Sequence, residues 1–251
     1  MISAGTKDNV KVKKRQPVST GVPMPDAYLK TAKKSDNLPV TEEAVSPNGW
    51  DLLHREGIDV SHYQGTIDWQ QVAAEGEVGY VYLKASEGAG LVDECYDYNL
   101  KEAKRAGLKV GSYHFFRGNA TLDEQLQNMT AVVKSSEQDL VPIIDVEYVN
   151  GLGKEEFVNY LKEFLKAVTK HYGQKPMIYT FVNFYNQYLQ GEGFDDYKIM
   201  IAFYRDAQPE LNDGKKYLIW QFTSHSHVPG IHGNVDRSRL MDGFTIQDIM
   251  F

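Results

Sequence analysis

Cysteine is almost missing from this chain: Cys95 is the single thiol among 251 residues, which excludes an internal disulfide and any zinc site built on cysteines. Long apolar runs are missing as well. None approaches the roughly 18 residues that cross a bilayer, so no transmembrane segment is expected. The first twenty residues also lack the apolar core of a secretory signal, so the chain is either cytoplasmic as made or written without a leader removed earlier. No strand-like run is followed by G-x-G-x-x-G or G-x-x-x-x-G-K-[ST], which leaves nucleotide binding without its phosphate cradle. Positive charge is scarce where it would matter. Residues 57–251 carry 18 Lys/Arg against 27 Asp/Glu, a net of −9, whereas residues 1–56 hold nine against seven. An acidic body argues against nucleic acid as partner, because phosphate binding draws on clustered Lys and Arg.

What is present divides the chain in two. Five of the nine prolines fall before residue 50, among two short basic clusters, Lys11–Arg15 and Lys30–Lys34, with little hydrophobic periodicity. Residues 1–56 therefore read as an irregular N-terminal arm or linker. From residue 57 to 251, short apolar runs alternate with amphipathic stretches. Strands are expected over 57–61, 80–85, 109–116, 141–147, 176–181, 199–204 and 218–222, with a last one near Val235 or Phe244. Helices are expected over 69–75, 94–106, 122–136, 155–171 and, briefly, 183–189. This alternation implies βαβ units and a parallel sheet. The expected fold class is α/β: an irregular TIM-like β/α barrel of eight strands and about five helices that loses its helices toward the end, with an open doubly wound sheet as the alternative.

In a β/α barrel the chemistry gathers at the C-terminal strand ends. Those ends offer Asp59 with His62; Lys84 and Glu87; Tyr113 and His114; Asp145 and Glu147; Tyr179; Tyr204; Trp220 and Gln221; and Asp236 in a glycine-rich segment. Asp145 and Glu147, two apart on one strand, share a face. Crowded carboxylates cannot all ionise at neutral pH, so at least one is expected to keep a proton and serve as a general acid. Paired acids among aromatics suit glycoside hydrolysis. The bland readings stay open here: Asp59 as a turn cap, Asp236 as a turn residue, His114 as a core histidine, Tyr179 and Tyr204 as barrel packing, Glu87 as a cap, and Trp69 as packing for the first helix.

Six segments carry a likeness that single motifs would not. G-I-D-V-S-x-x-Q-G-x-I-D-W (57–69), K-A-S-E-G (84–88), Y-H-F-F (113–116), D-V-E (145–147), W-Q-F-T (220–223) and V-P-G-I-x-G-x-V-D (228–236), in this order, resemble glycoside hydrolase family 25, the muramidases often called CH-type lysozymes. The resemblance implies a flattened barrel that hydrolyses the β-1,4 bond between N-acetylmuramic acid and N-acetylglucosamine in peptidoglycan glycan strands, without a cofactor or metal. It matches Glu147 to the general acid, Asp145 to the acid that assists the substrate's acetamido group, and Asp59 and Asp236 to the other site acids. Tyr113, Tyr179, Tyr204, Trp220, Gln221 and Glu87 are the expected substrate contacts. The expected setting is extracellular or the cell envelope, with cytoplasmic accumulation before release for a phage product, and the chain is expected to act as a monomer. Met200 stands where the family often has tryptophan, and any wall attachment would fall to the N-terminal arm.

Two rival functions use the same residues. A metal-dependent polysaccharide deacetylase would recruit Asp59, His62 and His114, although no H-x-x-x-H spacing is present. A non-catalytic peptidoglycan-binding module would keep the groove and lose turnover.

Overall fold

The structure, a computed structural model, describes residues 55–251. The expected arm thus lies outside the described residues except for Arg55 and Glu56, and Glu56 already opens the first strand. In chain order the elements are β1 (Glu56–Val60), α1 (Trp69–Ala74), β2 (Val78–Glu87), β3 (Leu91–Val92), α2 (Tyr96–Arg105), β4 (Lys109–Phe115), α3 (Leu122–Val132), β5 (Ile143–Asp145), α4 (Lys154–Tyr172), β6 (Met177–Phe181), α5 (Val182–Phe184), β7 (Ile199–Ala202), β8 (Ile219–Ser226) and β9 (Val235–Leu240). Asp68 caps α1 by accepting from Gln71 N, Thr121 caps α3 by accepting from Glu124 N, and Gly173 ends α4 at φ +73°. α5 continues as a π-type turn, Tyr185–Leu189.

Eight of the strands close a barrel in the order β1-β2-β4-β5-β6-β7-β8-β9, while β3 is a short hairpin partner of β2 alone. The wholly parallel sheet expected from the alternation needs one correction: β9 runs antiparallel to both β8 and β1. A parallel return needs a crossover of about a dozen residues or more, and the link 227–234 holds no helix and is too short to make one. The reversal matters for chemistry. β9 begins, rather than ends, at the mouth where the parallel strands finish, so Asp236 comes to that mouth from the start of its strand.

The apolar residues sort into two layers by strand alternation. Outward-facing Val81, Leu83, Ile144 and Ile178 pack against helix residues such as Phe157, Leu161 and Phe164. Inward-facing Tyr80, Tyr82, Ile143, Met177, Met200 and Leu240 fill the barrel. The two tyrosines lie so close over neighbouring strands that a Cβ on Gly57 would sit 2.1 Å from the Tyr80 ring, and one on Gly111 2.4 Å from that of Tyr82. Their hydroxyls meet Ser238 Oγ at 3.0 Å and Val141 O at 3.3 Å. This plug fills the barrel below and leaves the polar residues of the strand ends above it.

Candidate active site

Asp59 and Asp236 are direct cross-strand partners in the β1–β9 ladder. Such pairs have Cβ atoms about 5 Å apart, close enough for two carboxylates to repel strongly. One of them is tied down. Gln221 Nε2 donates to Asp59 Oδ2 at 2.8 Å, and Gln221 Oε1 accepts from Tyr179 OH at 2.9 Å and Tyr204 OH at 2.7 Å. Two phenol donors fix which end of the amide is oxygen and so aim its N–H at Asp59. Burial raises the Asp59 pKa to about 6 against the lowering effect of Gln221. Burial, then the charges of Asp59 and Glu147, raise Asp236 to about 8.

The other pair leaves the end of β5. Val146 N donates to Tyr179 O and Val146 O accepts from Thr180 Oγ1 at 2.7 Å, so the chain stays extended after the ladder ends at Asp145. Val146 is fully buried against the outer layer, and the acids on either side of it turn to the mouth. Asp145 is 7% exposed, and its Oδ1 is buried with no hydrogen-bond partner among the described residues. Burial first, then the charges of Glu147 and Asp59, raise its pKa well above the carboxylate range. Burial raises Glu147 to about 7, against the pull of Arg117 and Lys84. Tyr113 faces the same space: burial and the charges of Asp59, Asp145 and Asp236 push its phenol well up, so it stays neutral.

These shifts bear on stability. In the unfolded chain carboxyls release their protons near pH 4. In the folded chain Asp59, Glu147 and Asp236 hold them to about 6, 7 and 8. Their contribution is complete below the unfolded values and is lost as pH rises through the folded ones. The Tm is therefore expected to fall between about pH 5 and 8, and Asp236→Asn, which cannot ionise, to raise it at pH 8. Thermal unfolding checks this; a variant no more stable than the unsubstituted protein at pH 8 would refute it.

Two expected contacts are engaged elsewhere: one faces the outer wall and the other is held in ion pairs. Because Gln221 faces inward, its neighbour Trp220 must face outward. The Trp220 Nε1 donates to Phe203 O at 2.9 Å, and the indole packs under the Arg239 guanidinium on the outer wall. Glu87 is engaged by two cations: Lys84 Nζ at 2.7 Å and Arg117 Nη2 at 2.6 Å. Although burial opposes it, these partners hold the Glu87 carboxyl below its usual range. His114 is a core residue. Its Nδ1 meets Ser86 Oγ at 2.8 Å and its Nε2 meets Gln125 Oε1 at 3.1 Å, while burial lowers its pKa to about 4. His62 Nδ1 is bonded to the buried Asp93 at 2.7 Å. The deacetylase set Asp59, His62 and His114 is thus not assembled, and among the described residues no three His, Cys, Asp or Glu converge to hold a metal. Arg117 and Tyr148 were missed as site candidates, though each lies within two residues of a segment already singled out, Y-H-F-F and D-V-E.

Residues 58–231 match the family described as Glycosyl hydrolases family 25. The uncharacterized protein YegX of Escherichia coli is 35% identical over 184 residues, 72% of this chain and 67% of that protein. The autolytic lysozyme of Clostridium acetobutylicum is 29% identical over 76% of this chain and 57% of its own length. Among solved structures, a family 25 glycosyl hydrolase from Bacillus anthracis superposes with a TM-score of 0.69 at 27% identity, covering 77% of this chain and 91% of that one.

Proposed function

Since the chain belongs to family 25 of the glycosyl hydrolases and is a glycoside hydrolase of muramidase type, we propose that it cleaves the β-1,4 bond between N-acetylmuramic acid and N-acetylglucosamine with Glu147 as general acid and base. Asp145 assists the substrate's acetamido group, and Asp59 and Asp236 complete the acidic mouth. The observation that carries this division of labour is the orphaned Asp145 Oδ1. A buried acceptor without a donor is costly unless a ligand supplies one, and the acetamido N–H is the donor that this substrate brings.

The same contact decides which acid holds the proton. In the free enzyme burial, and then the charge of Glu147, raise the Asp145 pKa, so the two acids compete for a proton. An N–H arriving at Oδ1 favours the charged form of Asp145 and leaves the proton on Glu147. The acetamido oxygen then attacks the anomeric carbon as the bond to the leaving oxygen breaks, and that oxygen takes the Glu147 proton. Positive charge spreads over the oxazolinium ring beside the Asp145 carboxylate. Glu147, now ionised, accepts a proton from the water that opens the ring at the anomeric carbon, which restores the acetamide and the acid. Tyr113, together with Gln221 and the phenols that orient it, would line the glycan site.

The reaction needs the proton on Glu147. Turnover is expected to fall above about pH 7, where Glu147 deprotonates; a pH profile of kcat/KM that stays flat to about pH 9 would contradict this role. The activity itself is tested by digesting purified peptidoglycan and identifying the products by mass spectrometry. New reducing ends on N-acetylmuramic acid are expected. Reducing ends on N-acetylglucosamine, release of acetate, or binding without cleavage would each overturn the reading. The proposed site of action is the cell envelope; no helix among the described residues is long and apolar enough to cross a membrane.

A further inference from the structure

Resting on that reading, we propose that Tyr148, backed by Phe115 and Arg117, is a sugar-stacking wall on which the apolar face of an N-acetylhexosamine ring lies, beside the bond that Glu147 protonates. Two adjacent strand ends build it. Tyr113 and Phe115 share the inward face of β4, and Phe115 is the register partner of Asp145, so its ring stands at the level of the acids. Tyr148 follows Glu147 directly. Its ring stacks on Phe115 with centroids 6.2 Å apart and planes 28° from parallel.

A cation holds this stack in place. The Arg117 guanidinium lies 4.4 Å from the Phe115 centroid and 5.9 Å from that of Tyr148. It is itself anchored, because Nε and Nη2 both donate to Glu87 Oε1 at 2.9 and 2.6 Å, while Lys84 Nζ holds the other carboxylate oxygen at 2.7 Å. An aromatic ring fixed before the ligand arrives gives up little freedom on binding.

Tyr148 is nevertheless 46% exposed. A ring needed only for packing would be covered, and the other mouth aromatics, Tyr113, Tyr179, Phe181 and Tyr204, are buried or half-buried. The phenols of Tyr179 and Tyr204 are committed to Gln221, Trp220 faces the outer wall, and Met200 is 1% exposed inside the barrel. Tyr63 is more exposed still, at 79%, but among the described residues only the His62 ring stacks near it, at 4.2 Å. Tyr148 is therefore the braced aromatic face next to the acid pair. Pyranose rings present C–H groups on one side, and an aromatic face covers them while the hydroxyls stay in water.

The test is calorimetric binding of a tetrasaccharide alternating N-acetylglucosamine and N-acetylmuramic acid to Glu147→Gln protein, alone and combined with Tyr148→Ala or Tyr148→Phe. Tyr148→Ala is expected to weaken the Kd on the order of tenfold, and Tyr148→Phe, which keeps the ring, to stay within about twofold. An unchanged Kd for the alanine variant, an equal loss for phenylalanine, or no measurable binding to Glu147→Gln protein would each overturn the wall. Hydrolysis by the unsubstituted protein is read separately. Cleavage with a Kd indifferent to residue 148 sinks the wall and spares the muramidase reading; the reverse pattern sinks the reading and spares the wall.

Discussion

Glu147→Gln is expected to slow peptidoglycan hydrolysis about a thousandfold while the protein folds normally, since the amide matches the acid in shape but has no proton to give. Glu147 is half-buried and its carboxyl makes no hydrogen bond to another of the described residues, so far-ultraviolet circular dichroism and Tm should not fall. The defect should depend on the leaving group. An aryl glycoside whose phenol departs without protonation is expected to recover much of the rate, because only the protonation step is lost. Near-full turnover on cell walls by Glu147→Gln would remove Glu147 from the role. An equal loss on the aryl substrate would show that it does something other than donate a proton.

Asp145→Asn is expected to cost about a hundredfold in kcat, the scale of removing one preorganised electrostatic contact to a charge that develops in the transition state. The asparagine can still offer an oxygen to the acetamido N–H. It cannot offer the negative charge that steadies the oxazolinium, so KM should change less than kcat. The comparison that matters is Asp59→Asn. Asp59 already accepts the Gln221 amide, whereas Asp145 Oδ1 has no partner among the described residues, so Asp145 is expected to be the more sensitive of the two. If Asp145→Asn leaves the rate intact while Asp59→Asn abolishes it, the stabilising acid lies on β1 and the division of labour along D-V-E is wrong.

Both variants act on a site that crowds acids deliberately. Burial raises all four carboxyls, the charge of Asp59 adds to the rise of Asp145, Glu147 and Asp236, and that of Glu147 adds to Asp145 and Asp236, so the mouth keeps protons at neutral pH that the unfolded chain would release. The same repulsion that makes a proton available for catalysis lowers stability as pH rises, which ties the pH profile of the rate to that of the Tm.

Much of this was legible along the chain. Periodicity of two and of 3.6 is local, so the strands and helices emerged near their observed bounds; even Asp145 and Glu147, at and just past the end of β5, could be assigned to one face from spacing alone. The motif segments, read together, pointed to the family. Three things were out of reach because they depend on contacts between distant segments. The length of the 227–234 link reverses β9, which sets Asp236 opposite Asp59. The inward choice of Gln221 over Trp220 on β8 follows from which of two neighbouring polar-capable side chains finds Tyr179, Tyr204 and Asp59 inside a closed barrel, and an apolar run shows no such preference. Tyr148 reads as one more aromatic until Phe115 and Arg117, from the end of β4, come up behind it. Local pattern therefore determined the elements and the chemistry of the acids, whereas barrel closure decided which side chains meet, because facing and register across strands are properties of the closed sheet and not of any one segment.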